Sequence, residues 1–203
     1  QELVREYHSI DEYYKNNIFN KGLNLIQNNP LYETSNIFAK NDIRENISCF
    51  RIPSIIAKNN ALIAFSEARI NSCEDCSITG IVSKTSYNGG KNWSKFSWVI
   101  PANNRGGNPT TLYDYKNNKI MLYYSRGGNY VNSHWDCSPA RDNYYISSYN
   151  FGETWENPVN ISKYLGKYKG LLPGPGNAIQ IKSGRFVIPG HYLTSNRQNG
   201  VVI

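Results

Sequence analysis

The chain has 203 residues, with 22 Lys and Arg against 15 Asp and Glu, for a formal charge of +7 at neutral pH. Aromatic residues make up 13% of it, a packing area that excludes an intrinsically disordered chain and suffices for a sizeable core. No run of 18 apolar residues occurs, which excludes a helical membrane span. Its cationic side chains are scattered, without a run of five like charges, which argues against a nucleic-acid partner and for a generally positive surface suited to an anionic substrate.

Residues 1–30 are polar, carry Tyr and Ile at helix-compatible spacing, and read as a helical or irregular lead-in. The chain opens at Gln1 with neither Met nor a signal-peptide pattern, so a processed or excised product is expected. From Leu31 to the end, residues 31–203, the texture changes to short apolar runs separated by turn residues, which predicts an all-β fold. Arg51 to Ala57 and Ala61 to Phe65 are strand-like runs around the turn Lys58-Asn59-Asn60. Ile78 to Thr85 alternates into the segment Ser86-Tyr87-Asn88-Gly89-Gly90-Lys91-Asn92-Trp93. Thr110 to Tyr113 and Lys119 to Tyr124 then flank Lys116-Asn117-Asn118, and Tyr144 to Ser148 leads into Ser148-Tyr149-Asn150-Phe151-Gly152-Glu153-Thr154-Trp155. A third unit is expected from Gly176, with Ala178 to Ile181 and Arg185 to Ile188 around Lys182-Ser183-Gly184.

The two Ser-x-Asn-x-Gly-x-x-Trp boxes, Ser86 to Trp93 and Ser148 to Trp155, stand 62 positions apart. A repeat of strand, turn, strand, strand and box is the pattern of propeller blades. Asn88 and Asn150 can hydrogen-bond the backbone of the turn that follows each. Gly90 and Gly152 permit positive φ, and Trp93 and Trp155 are expected to fold back between adjacent blades. With Ser86 and Ser148 they form a structural motif with no catalytic role.

The four cysteines are Cys49, Cys73, Cys76 and Cys137. Cys73-x-x-Cys76 has the spacing of a zinc or redox motif, but no second CxxC or CxxH follows it, and His8, His134 and His191 stand apart from one another. No metal or cofactor is therefore expected, and the cysteines read as free thiols or one disulfide. Asn-x-Ser/Thr sequons at Asn46, Asn92 and Asn160 fit a secreted or cell-surface protein.

Phe50-Arg51-Ile52-Pro53 followed by two such boxes resembles the sialidase (neuraminidase) superfamily, in which the boxes are called Asp-boxes; here Asn stands at the Asp position of both. The resemblance runs from about Leu31 to Ser195. Ala64-Phe65-Ser66-Glu67-Ala68-Arg69 is similar to the family's second strand, Gly107-Asn108-Pro109-Thr110 to the opening of its second blade, and Gly174-Pro175-Gly176-Asn177 to that of its third. It implies a six-bladed β-propeller, of which this chain supplies about the first two to three blades, the rest coming from the remainder of a longer chain. The implied function is exo-α-sialidase activity, the removal of terminal sialic acid from glycoproteins, glycolipids and oligosaccharides with retention. A trans-sialidase, or a catalytically inactive sialic-acid-binding or adhesion protein of the same fold, is the alternative.

The substrate carries a carboxylate at its anomeric carbon, which a fixed guanidinium can grip in bidentate fashion where Lys cannot. The resemblance assigns Arg51 to that role. It also implies a general acid/base on the loop Arg69-Ile70-Asn71-Ser72-Cys73-Glu74-Asp75-Cys76, with Asp75 preferred to Glu74, held protonated at working pH by partial desolvation. Arg69 is then expected to point into the pocket beside the sugar, or else to pair with Glu67 or Glu74. Asn108 is expected to contact the sugar's substituents, and Tyr130 or Trp135 to supply an aromatic wall. The family's nucleophile is a Tyr activated by a Glu, an exception among glycosidases; both lie in later blades, as do two further carboxylate-binding arginines, and no Tyr of this chain matches that position.

Overall fold

Both expected hairpins form where Asn stands at the turn. The computed structural model describes residues 36–39, 46–75, 77–127, 130–131, 134–135, 141–166, 168, 171–193 and 199–203. The chain divides into units 1–36 and 37–203; the proposed lead-in of residues 1–30 lies outside the described residues.

In the second unit, β1 (Ile47–Lys58) and β2 (Ala61–Ile70) pair antiparallel down to Lys58 opposite Ala61. β3 (Ile78–Ser86) and β4 (Ser97–Ile100) complete a four-stranded sheet in chain order. β5 (Gly106–Asp114) and β6 (Lys119–Gly127) form the next hairpin, followed by the two-residue strands β7 (Tyr130–Val131) and β8 (His134–Trp135), then β9 (Arg141–Ser148) and β10 (Val159–Asn160). The turn residues Asn59 and Asn118 take φ of 54° and 53°, the left-handed region that Asn tolerates better than other residues with a Cβ.

The remaining short strands are β11 (Leu172–Pro173), β12 (Gly176–Asn177), β13 (Ile179–Gln180), β14 (Phe186–Val187), β15 (Gly190–Leu193) and β16 (Asn199–Val202). The expected hairpin around Lys182-Ser183-Gly184 is present as β13 and β14, shorter than the apolar runs suggest. The third unit is not one sheet, however. β12 adds in parallel to β5, completing the order β10-β9-β6-β5-β12, and β15 pairs with β11 and β16. Pro173, Pro175 and Pro189 break this stretch, and Pro gives no N–H to a ladder.

The two large sheets pack against each other, which buries one face of β2 and of β6, and further clusters cover the opposite face of each. Ile120, Leu122 and Tyr124 of β6 meet Ile63, Phe65, Ile81 and Ile100 of the first sheet in one core. The alternate residues Met121 and Tyr123 pack on the opposite face with Leu112 and Ala178, the period of two expected of a strand. The second box seats on the first sheet: Trp155 meets Phe65 edge-on at 5.9 Å, and a Cβ at Gly152 (φ 86°) would lie 2.8 Å from Ile63 Cδ1. In the first box Gly90 approaches Leu62 of its own sheet.

The boxes share a hydrogen-bond pattern. Gly90 N–H donates to Ser86 Oγ at 2.9 Å and Asn92 N–H to Asn88 Oδ1 at 2.9 Å. Gly152 N–H donates to Ser148 Oγ at 2.7 Å and Thr154 N–H to Asn150 Oδ1 at 2.9 Å. Every contact uses an amide or hydroxyl oxygen as acceptor, so Asn serves in this turn without a carboxylate.

Candidate active site

A bulge in the first strand of each large sheet prepares the site. The β1–β2 register slips between Arg51 and Ser54, and the β5–β6 register between Gly107 and Thr110. Ile52 and Asn108 sit inside these slips with φ of 51° and 56°, each followed by a proline. Phe-Arg-Ile-Pro is thus the same backbone device as Gly-Asn-Pro-Thr, one sheet earlier. A β-branched residue in the left-handed region costs on the order of 1–2 kcal/mol, a strain found beside the residue that the sequence singles out.

Arg51, on the near side of its bulge, has a side chain 45% exposed, and its Nη1 donates to Asp75 Oδ1 at 2.7 Å. Arg69, at the end of β2, is 4% exposed and spreads its donors over three acceptors. Nε and Nη2 donate to Glu67 Oε2 at 3.0 and 2.8 Å, while Nη1 donates to the Cys73 carbonyl at 2.8 Å and to Asp75 Oδ1 at 2.9 Å. Two guanidiniums therefore converge on one carboxylate oxygen. Glu67 is itself buried, and its other oxygen, Oε1, accepts the Asn108 N–H at 2.7 Å. A buried ion pair is tolerable only when its remaining lone pairs are satisfied in this way.

A disulfide between Cys49 and Cys73 fixes the loop that carries Asp75. Cys49 stands two residues before Arg51 and Cys73 two before Asp75, so the bridge brings the two charges together. Cys76 and Cys137 lie outside the described residues. Of the two acids on the loop, only Asp75 reaches the arginines; the Glu74 backbone N–H and carbonyl make local turn bonds to Ser72 and Ser77. Arg69 takes the alternative course, pairing with Glu67, while its Nη1 faces the Asp75 loop.

The expected protonation of Asp75 is not what this geometry produces. Its side chain is 77% exposed, and the hydrogen bond from Arg69, together with the charges of Arg51 and Arg69, outweighs the opposing effect of burial and holds the carboxyl below its ordinary value. Among the described residues the loop leaves Asp75 open to solvent instead of desolvating it.

Asn108 enters the cluster through its backbone N–H. Tyr130 and Trp135 are register partners on the β7–β8 ladder, and only their backbones are described. From the sequence, Glu67 is only an alternative ion-pair partner of Arg69, and the one disulfide has no assigned pair. The available signals were Glu67 and Arg69 at i and i+2, on one face of a strand, and two cysteines at equal offsets from two charged residues.

The sequence matches the BNR repeat-like domain family over residues 60–203. It is 28% identical over 187 residues to an exo-alpha-sialidase of Aspergillus fumigatus, covering 79% of this chain and 46% of that protein. A sialidase of Clostridium perfringens is also 28% identical, over 91% of this chain and 52% of its own length. The chain thus spans about half the length of the curated relatives it matches. Among solved structures, a Hadza microbial sialidase superposes with a TM-score of 0.63 at 24% identity, over 77% of this chain and 35% of that one. The intramolecular trans-sialidase from Ruminococcus gnavus superposes with a TM-score of 0.65 at 15% identity, over 83% and 63% respectively. Both resemblances concern the fold. With the family model covering most of the chain and curated sialidases among its relatives, this chain belongs to the BNR repeat-like family within the sialidase superfamily.

Proposed function

We propose that the whole protein is an exo-α-sialidase on a six-bladed propeller, to which this chain contributes the carboxylate-binding Arg51 and the general acid/base Asp75. The observation that carries this reading is the convergence of Arg51 and Arg69 on Asp75 Oδ1. Arg51 is half-exposed and its partner is a solvent-exposed carboxylate, so the pair is weak in water and open to exchange. A substrate carboxylate arriving at Arg51 would take the place of Asp75, exchanging one anion for another on the same guanidinium.

That exchange also resolves the protonation of Asp75. Losing Arg51 as a partner and gaining a nearby anion both raise a carboxyl's pKa, so substrate binding itself would generate the acid that protonates the leaving oxygen. Arg69, anchored by Glu67, stays beside Asp75 as a fixed donor. Retention then requires Asp75 to act as base towards the incoming water once the leaving group has departed. The nucleophile belongs to the part of the site that resemblance places in later blades.

Secretion or cell-surface display is part of the same proposal. It is supported by the Cys49–Cys73 disulfide, which persists in oxidising compartments, and by exposure of all three sequon asparagines, Asn46, Asn92 and Asn160. Turnover of a fluorogenic sialoside by the whole protein, with Arg51→Lys alongside, tests the reading. Loss of about 30- to 150-fold in kcat/KM is expected, since Lys forfeits a charge-assisted bidentate contact of about 2–3 kcal/mol. An unchanged kcat/KM in Arg51→Lys would remove the carboxylate-binding role.

A further inference from the structure

The geometry points to Glu67 as a positioning residue that aims Arg69 at Asp75 and ties this charge cluster to the bulge of the second sheet, an inference that rests on the reading of Asp75 as acid/base. The two oxygens of Glu67 do separate work. Oε2 holds the Nε and Nη2 edge of Arg69, at 3.0 and 2.8 Å, which leaves Nη1 to face the Cys73 carbonyl and Asp75. Oε1 accepts the N–H of Asn108, a residue of β5, at 2.7 Å.

The second sheet is shaped to receive that oxygen. The left-handed φ of 56° at Asn108 belongs to the bulge that presents its N–H, and the preceding Gly107 leaves the room: a Cβ there would lie 2.9 Å from Oε1. Both acceptor positions face N–H donors, so Gln cannot replace Glu67. Whichever way its amide turns, an NH2 group meets either Arg69 or the Asn108 N–H. A carboxylate is required, and its orientation is set from two sheets at once.

Glu67 therefore also governs the field at Asp75. Among the described residues the charged groups that face Asp75 are Arg51 from β1 and Arg69 from β2, with Glu74 its neighbour on the loop. Neutralising Glu67 leaves the charge of Arg69 uncompensated, which favours the Asp75 carboxylate and moves its titration to lower pH.

The test uses the whole protein and the pH dependence of kcat/KM on a sialyl galactoside, which falls as pH rises through the titration of Asp75 in the free enzyme. Glu67→Gln is expected to move that alkaline limb about one pH unit lower, which is roughly tenfold in kcat/KM at any pH above it. Gly107→Ala, which displaces Oε1 without touching a charge, moves it the same way by less, and Glu67→Asp restores part of the shift. A loss of equal size at every pH, with the limb unmoved, would make Glu67 a structural residue and overturn the inference. The Asp75 carboxyl titration, followed by carbon-13 NMR in wild type and the variants, decides the matter without turnover. A wild-type protein inert on sialosides refutes the proposed function alone, while an Asp75 titration identical in wild type, Glu67→Gln and Gly107→Ala refutes the positioning role.

Discussion

Replacing both Cys49 and Cys73 with Ser removes the covalent link between the Arg51 strand and the Asp75 loop. The bridge spans a sequence separation of 24, and closing a loop of that size takes about 3.5 kcal/mol of conformational free energy from the unfolded chain. For a chain of this length each kcal/mol moves the melting temperature by about 2–4 °C, so the double variant should melt about 7–14 °C below wild type. β1 and β2 also pair along nearly the whole of this loop, and any such pairing that survives in the unfolded state reduces the effect. Thermal denaturation of wild type with and without dithiothreitol, and of the double variant, measures it; reduced wild type should match the variant. A second consequence is local: with the loop released, Asp75 loses its fixed approach to Arg51 and Arg69, and its carboxyl titrates closer to the ordinary value. A melting change under about 3 °C, or peptide mapping that finds Cys49 unlinked to Cys73, would refute this account of how the site is held.

Three further outcomes are expected. Asp114, 1% exposed, accepts hydrogen bonds from the Lys116 and Asn117 N–H groups and from the Asn117 and Gln180 amides, so Asp114→Ala should cost about 2–3 kcal/mol in chemical denaturation. Burial pushes the Asp114 carboxyl up, but the hydrogen bonds from Asn117, Gln180 and Lys116 outweigh it and the net shift is downward. Its contribution is thus present above the ordinary carboxylate pKa and lost as pH falls through the lower folded-state value, and Asp114→Asn should show a smaller loss of stability on acidification. Trp155→Ala, which uncovers Phe65, should cost about 2–3 kcal/mol by the same denaturation assay. Finally, the alkaline limb of kcat should lie at higher pH than that of kcat/KM, because free Asp75 is held low by Arg69 and Arg51 and the bound substrate releases it; coincident limbs in a stopped assay would exclude the anion exchange at Arg51.

Much of this fold can be read from short-range signals. Asn-Asn turns between apolar runs place β1 with β2 and β5 with β6, because a left-handed turn residue and a period of two are local properties. The box hydrogen bonds are local for the same reason, spanning four residues in each case. The edge strands β4 and β10, of four and two residues, are too short to show a period of two, and β12 joins β5 only through a partner 66 residues away, Gly176 opposite Thr110. At the site, Arg51, Arg69 and Asp75 are legible because their residue types carry the chemistry. The low titration of Asp75 is not, since it depends on two guanidiniums arriving from different strands. Glu67 is legible only as an ion-pair partner for Arg69, because its second partner is a backbone N–H on another sheet, which no side-chain pattern records.

The most direct test is turnover by the whole protein of two sialosides, one with a galactose leaving group and one with an acidic phenol, in wild type and Asp75→Ala. Removing a general acid costs on the order of a hundred- to ten-thousandfold, and the loss should fall mainly on the galactoside, whose leaving oxygen needs the proton. Asp75→Ala should therefore be nearly inactive on the galactoside and retain much more of its rate on the phenol. Equal losses on the two substrates, or wild-type turnover retained by Asp75→Ala on the galactoside, would contradict the assignment of Asp75 as the acid.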